Sequence, residues 1–315
     1  MRISKEKQEL IRKCAEELNY APNQLARALI SGQSKTLGLI IPEITDSFFS
    51  TLCRKIELEA TRMGYAIMIA SSESDTHLED KAIALFQSKQ VDGIIIAPTQ
   101  DSEVTIKKLI DDKFPVVIID RIFENINANS ICVDNMEASY NIVTKMINNG
   151  ARKIAFLTAN PNVYTMKERR AGYEKAILDA NIKLNDQLIG IASFQNFEDE
   201  ISHIIGNIFD KVPDVDGVFF ATHVLALESF RYFMENNIDI KKGFQLGCIH
   251  GSSIFKALAP NIHVAYMPVE IMGKQAVELI TNNISSIHQQ KPFEQVNTII
   301  KCTYPSCLDV FKKGI

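Results

Sequence analysis

The chain has 315 residues, of which 46% are hydrophobic and 23% charged, with a formal net charge of −4. That length exceeds one ordinary core and suits two lobes, the balance is that of a globular protein, and the net negative charge excludes a polycation that coats nucleic acid. The first 36 residues carry seven Lys or Arg against four Glu, a net +3 that leaves −7 on the remainder. A basic front on an acidic body suits contact with phosphate, although a solvated helix face accounts for the charge equally well.

The opening MRISKEKQEL has no apolar h-region and predicts no signal peptide. No apolar run approaches the ~18 residues of a membrane span, so the expected location is the cytoplasm. Six cysteines, Cys14, Cys53, Cys132, Cys248, Cys302 and Cys307, form no C-x-x-C pair. Buried free thiols in a reducing compartment are expected.

Ser4 is placed to cap a first helix with Glu6 in its first turn and Leu10, Ile11, Cys14 and Leu18 as its apolar stripe. Pro22 interrupts it. Asn23 is placed to cap a second segment, residues 24–31, which Gly32 closes as a left-handed cap. Two turns fall below the ~12–15 residues at which an isolated helix becomes marginal, so this segment is expected to need a partner.

From residue 36 the pattern changes. TLGLIIP, YAIMIAS, GIIIAP and PVVIID are short apolar runs, separated by helical periodicity over 47–64, 76–90 and 103–112. The alternation resumes with KIAFLTA, LIGIASF, VDGVFFAT and FQLGCIHG, and with helices near 165–180, 197–210 and 223–236. Continuous apolar strands between amphipathic helices predict parallel sheets covered on both faces, an α/β fold. VDGIIIAPT at 91–99 and VDGVFFATH at 215–223 echo each other, which favours two similar lobes over one large sheet. Such sheets bind ligands beyond the carboxyl ends of their strands, and two facing lobes make a cleft for a small molecule. No G-x-S-x-G, H-E-x-x-H, P-loop or G-x-G-x-x-G after a strand is present, so no enzyme activity and no cofactor are expected. The histidines show no metal spacing; a His223–His250 pair lacks an evident third ligand.

The stretch ISKEKQELIRKCAEELNYAPNQLARALISGQSKTLGLIIPEITDSFF resembles the headpiece-to-core junction of LacI/GalR-family transcriptional repressors. The resemblance runs the length of the chain through VDGIII, PVVIIDR, VDN at 133–135, ERRAGY at 168–173, VFFATHVLAL at 218–227 and AYMPVEIMGKQAVELI at 265–280. It implies two Rossmann-like lobes of the type I periplasmic-binding-protein fold, preceded by a headpiece helix and a hinge helix. The expected division is 1–35 for headpiece remnant and hinge, 36–135 with 268–288 for the N-terminal lobe, and 136–267 with 289–315 for the C-terminal lobe.

The resemblance further implies a cytoplasmic homodimer that represses a carbohydrate-utilisation operon. A sugar or sugar phosphate binds between the lobes and alters hinge placement in the operator minor groove. Leu29 maps to the leucine that wedges between base pairs, with Asn23, Ala26 and Arg27 along the groove; an i,i+4 pair of Leu25 and Leu29 packed on the core is the alternative. The effector-binding candidates are Asp46, Phe48, Ser72, Asp75, Arg121, Arg169, Phe194, Thr222, His223 and His250.

This sequence departs from the family pattern in two places. The first two headpiece helices of that pattern would precede Met1, so the chain as given is expected to bind operator weakly, whether it is a shortened chain, a misplaced start or a natural core-only protein. In the cleft, Thr222-His223 stands where the family has Asn-Asp, and Gly247-Cys248-Ile249-His250 where it has a Gly-aromatic-Asp-Asp/Asn turn. A less acidic second lobe points to an effector that is less hydroxyl-dependent or carries negative charge; a neutral sugar held by the remaining polar groups stands equal. A solute-binding protein without DNA binding is the competing class, and an α/β enzyme the third.

Overall fold

A computed structural model describes residues 4–17, 32–123, 125–193, 197–238, 240, 243–291 and 295–306. Helix α1 (Lys5–Glu17) forms at the front, and of its anticipated stripe Leu10 and Cys14 face solvent, Leu10 at 63% exposure. The hinge positions Asn23, Ala26, Arg27 and Leu29 lie outside the described residues. Gly32 adopts φ +69°, the left-handed conformation expected of it, while the segment it would close, residues 24–31, lies outside the described residues.

The first lobe is built from β1 (Thr36–Ile41), α2 (Ser47–Arg62), β2 (Ala66–Ser71), α3 (Thr76–Ser88), β3 (Gly93–Ile96), α4 (Glu103–Asp111), β4 (Val116–Ile119) and β5 (Asn129–Val133). The second holds α5 (Asn135–Asn148), β6 (Ile154–Thr158), α6 (Tyr164–Asp179), β7 (Ile189–Ile191), α7 (Phe197–Lys211), β8 (Gly217–Phe220), α8 (His223–Glu235), β9 (Gln245–Ile249), α9 (Phe255–Leu258) and β10 (His263–Ala265). The chain then returns to the first lobe with α10 (Val269–His288) and β11 (Asn297–Ile300). The first sheet has the order β11-β5-β4-β3-β1-β2 and the second β10-β9-β8-β6-β7. Every pairing in both is parallel.

The inner strands are apolar throughout because helices cover both faces. Ile40, Ile94 and Ile96 point to Ile83, Phe86 and Ile106 of α3 and α4, while Leu39, Ile41 and Ile95 belong to the core on the other face with Leu52 and Ile56 of α2 and Met272 of α10. In the second lobe Phe156, Tyr173 and Phe219 stack in near-parallel planes, and the Tyr173 hydroxyl donates to the Ile154 carbonyl at 2.8 Å. Gly172 lets α6 lie against α5: a Cβ there would overlap the Met136 carbonyl.

The chain passes between lobes at β5–α5 and at β10–α10, and a third segment after β11 is joined to the second by an antiparallel bridge between Tyr266 and Thr303. One sequence expectation needs correction. The sequence places residues 289–315 in the C-terminal lobe, yet Asn297–Ile300 pair in register with Ser130–Val133 and form the edge of the first sheet. A four-residue strand satisfies its backbone only beside a partner strand, and β5 offers the free edge.

The recurring VDG has a structural cause. Asp92 accepts hydrogen bonds from the backbone N–H of Ser34 (2.7 Å) and Lys35 (2.9 Å), just ahead of β1. Asp216 accepts from those of Arg152 (2.7 Å) and Lys153 (2.8 Å), just ahead of β6. In each lobe the aspartate before one central strand fastens the chain entering its neighbour.

Candidate ligand-binding cleft

Parallel strands carry their carboxyl ends to one pole of each sheet, and the loops there bring several predicted residues together. Asp46 follows β1 and caps α2, accepting from the N–H groups of Phe48 (2.8 Å) and Phe49 (3.2 Å). This cap fixes the start of α2, so Ser47 and the buried Phe48 reach the second lobe. Ser47 Oγ lies 2.8 Å from His223 Nε2. The Phe48 ring meets His250 edge-on at 5.3 Å, and His250 meets His223 edge-on at 5.1 Å. Thr222 caps α8 by accepting from Leu225 N–H at 3.4 Å, which sets His223 as the first residue of that helix.

Asp120 and His250 hold matching places. Each is the first residue after a strand, β4 and β9, and each has a left-handed backbone, φ +65° and +61°. Each also leaves a buried polar atom, Asp120 Oδ1 and His250 Nδ1, without a hydrogen-bond partner among the described residues. Such strain and such unmet hydrogen-bonding capacity concentrate at binding sites. Arg121 Nε is a third atom of this kind; its Nη1 donates to the Pro98 carbonyl at 2.6 Å.

Arg169 is buried, at 6% exposure. Its Nε donates to Asn135 Oδ1 and its Nη1 to the Ala221 carbonyl, both at 2.8 Å. The guanidinium therefore ties the first residue of α5 to the residue before Thr222-His223. Burial lowers its pKa and the nearby Asp120 opposes that shift. Burial raises the Asp120 carboxyl, against the pull of Arg169 and then Arg121. Burial pushes both histidines toward the neutral form: His223 is lowered, with Asp46 opposing, and His250 falls to about 3, helped down by His223 and Arg169.

Of the sequence-predicted residues, Asp46, Phe48, Arg121, Arg169, Thr222, His223 and His250 thus stand at the facing strand ends. Ser72 is buried beneath them, its hydroxyl 3.4 Å from the Ile41 carbonyl. Asp75 is exposed and caps α3, accepting from Leu78 N–H at 2.9 Å. Phe194 lies outside the described residues. Sequence reasoning passed over Ser47 and Asn135 as site residues. A signal for both existed, since Ser47 directly follows a predicted cap beside a strand end and Asn135 closes the quoted VDN. Chemically the cleft offers two guanidinium groups, two imidazoles, a carboxylate with a free oxygen, a hydroxyl paired with an imidazole across the lobes and an aromatic face, which suits a small polar ligand.

The family described as periplasmic binding proteins and the sugar-binding domain of the LacI family matches residues 34–306. The HTH-type transcriptional repressor PurR of Vibrio campbellii is 26% identical over 302 residues, covering 95% of this chain and 89% of that protein. Among solved structures, the transcriptional regulator CelR in complex with cellobiose superposes with a TM-score of 0.77 at 19% identity, over 96% of this chain and 90% of that one. The Cra transcriptional dual regulator of Pseudomonas putida with fructose 1-phosphate gives 0.75 at 19%, over 86% and 98%. These structural likenesses speak for the fold.

Proposed function

The chain belongs to the family of periplasmic binding proteins and LacI-family sugar-binding domains, and from that premise we propose that it is an effector-responsive repressor whose cleft binds a sugar or sugar phosphate. The observation that carries this reading is that Asp120 Oδ1, Arg121 Nε and His250 Nδ1, buried and without partners among the described residues, stand near the buried Arg169 at the facing strand ends. A polyol or phosphate ester satisfies donors and acceptors of this kind together, and closure of the lobes on it moves one lobe against the other. CelR with cellobiose and Cra with fructose 1-phosphate support both neutral and phosphorylated candidates.

In this reading the operon serves carbohydrate use. Asn23, Ala26, Arg27 and Leu29 contact the operator minor groove. The active species is a cytoplasmic homodimer. Edge strand β2 supports this, since Ile69 is 47% exposed, as does Met234 on α8 at 69%.

Calorimetry on the chain with cellobiose, fructose and fructose 1-phosphate tests the cleft. Binding of at least one, abolished in Arg169→Ala, supports the reading; a ligand that binds Arg169→Ala as well as wild type refutes it. Preference for neutral fructose over its phosphate would end the case for an anionic effector. The competing reading, a solute-binding protein, predicts that the same ligand leaves DNA affinity unchanged in a gel-shift titration.

A further inference from the structure

A second recess lies at the other pole of the first lobe, where β4 and β5 begin and α4 and α10 end. Its volume is about 730 Å³, inside the roughly 300–1,000 Å³ typical of small-molecule pockets. Because the sheet is wholly parallel, this pole is also the one at which residues 32–35 enter β1.

The lining is chemically specific. Asn283 is only 6% exposed, lines the recess, and its carboxamide has no hydrogen-bond partner among the described residues. Gln295 Oε1 is buried and has no partner among the described residues. Asn129 accepts from Val296 N–H at 2.9 Å through Oδ1, and its Nδ2 donor has no partner among the described residues. Lys113 and Lys291 are the charged residues among the described residues of the lining, and Phe114 contributes an aromatic wall. A buried acceptor left unmatched, such as Gln295 Oε1, is costly and rare. Carboxamides pair with the donor and acceptor edge of a nucleobase, aromatic side chains stack on its face, and lysine ammonium groups bind phosphate as point charges.

We infer that this recess is a second ligand site for a mononucleotide-sized organic anion. The base edge lies on Asn283 and Gln295, and the phosphate lies between Lys113 and Lys291. The site is separate from the cleft and independent of what the cleft binds.

The test is calorimetric titration of the full chain with AMP, GMP, CMP and UMP, with adenosine and inorganic phosphate as fragments. At least one nucleotide should bind, and its base-only and phosphate-only fragments should bind about tenfold or more weakly, as expected when a charge-assisted hydrogen bond is lost. Lys113→Glu/Lys291→Glu should weaken the nucleotide by a similar factor. So should Asn283→Leu, which keeps the volume and removes the amide, while Arg169→Ala leaves the affinity unchanged. Circular dichroism checks that each variant is folded, and the surface lysine pair serves if Asn283→Leu is not. Absence of heat with all four nucleotides at millimolar concentration overturns the inference. So does an affinity that follows Arg169 and ignores Lys113, Lys291 and Asn283.

Discussion

Ser47 of the first lobe and His223 of the second are joined across the cleft by a 2.8 Å hydrogen bond. It links the first residues of two helices, α2 and α8, each fixed by its own cap at Asp46 and Thr222. A displacement of either lobe must therefore break or re-aim this contact. A typical hydrogen bond contributes about 1 kcal/mol, so Ser47→Ala is expected to shift the balance of lobe arrangements roughly fivefold. A changed radius of gyration in small-angle scattering without ligand, with an unchanged melting temperature, is the expected result. An unchanged scattering profile would show that the contact does not hold the lobes.

Arg169 carries more. It bridges Asn135 and the Ala221 carbonyl from a buried position facing Asp120. Removing it leaves two acceptors and a buried carboxyl uncompensated, so Arg169→Ala should lose about 3–5 kcal/mol in urea unfolding. Arg169→Lys should recover only part of this, because an ammonium does not reproduce the planar fork that reaches both acceptors.

The histidines give a pH dependence of defined sign. His250 is lowered from 6.5 to about 3 and His263 to about 4, each chiefly by burial. Between those values and 6.5 the unfolded chain binds protons that the fold resists, so stability is full above about 6.5 and falls as pH drops. For His250, the more deeply buried of the two, the cost is up to about 1.4 kcal/mol per pH unit across that window, and for the more exposed His263 solvent screening makes it smaller. Glu79 and Asp120, raised by burial, act in the opposite direction. The difference between wild type and His250→Asn isolates the imidazole: the variant should lose less melting temperature between pH 7 and pH 5.

The two aspartate fasteners should behave alike. Asp92→Ala removes charge-assisted bonds to Ser34 and Lys35, and Asp216→Ala those to Arg152 and Lys153. Each should cost about 1–3 kcal/mol. Hydrogen exchange should show lost protection at the paired amides, Ser34 and Lys35 in one variant and Arg152 and Lys153 in the other. Protection lost equally throughout both lobes would contradict a local role.

The alternation of strands and helices is legible in the amino-acid order alone. Apolar runs and helical periodicity place α2, α3 and α4 within two residues of their observed ends, and α6, α7 and α8 as closely. That legibility has a local cause, since a strand covered on both faces must be apolar at every residue and a covering helix at every third or fourth. The doubled VDG announced two lobes because each copy performs the same backbone task. Helix α5 and strands β5 and β11 were less legible. Their segments contain Asn, Ser and Thr, and they lie where the chain crosses between lobes, so periodicity is broken by residues serving both sides.

Long-range pairings came from the folded chain. It assigned β11 to the first sheet, because strand pairing joins residues 167 positions apart, such as Ser130 and Asn297. It also brought Ser47, 176 positions away in sequence, to His223. Sequence periodicity records which face of an element is buried; it carries no information about which distant polar group will stand opposite, since hydrogen-bond partners are chosen by the packing of whole lobes.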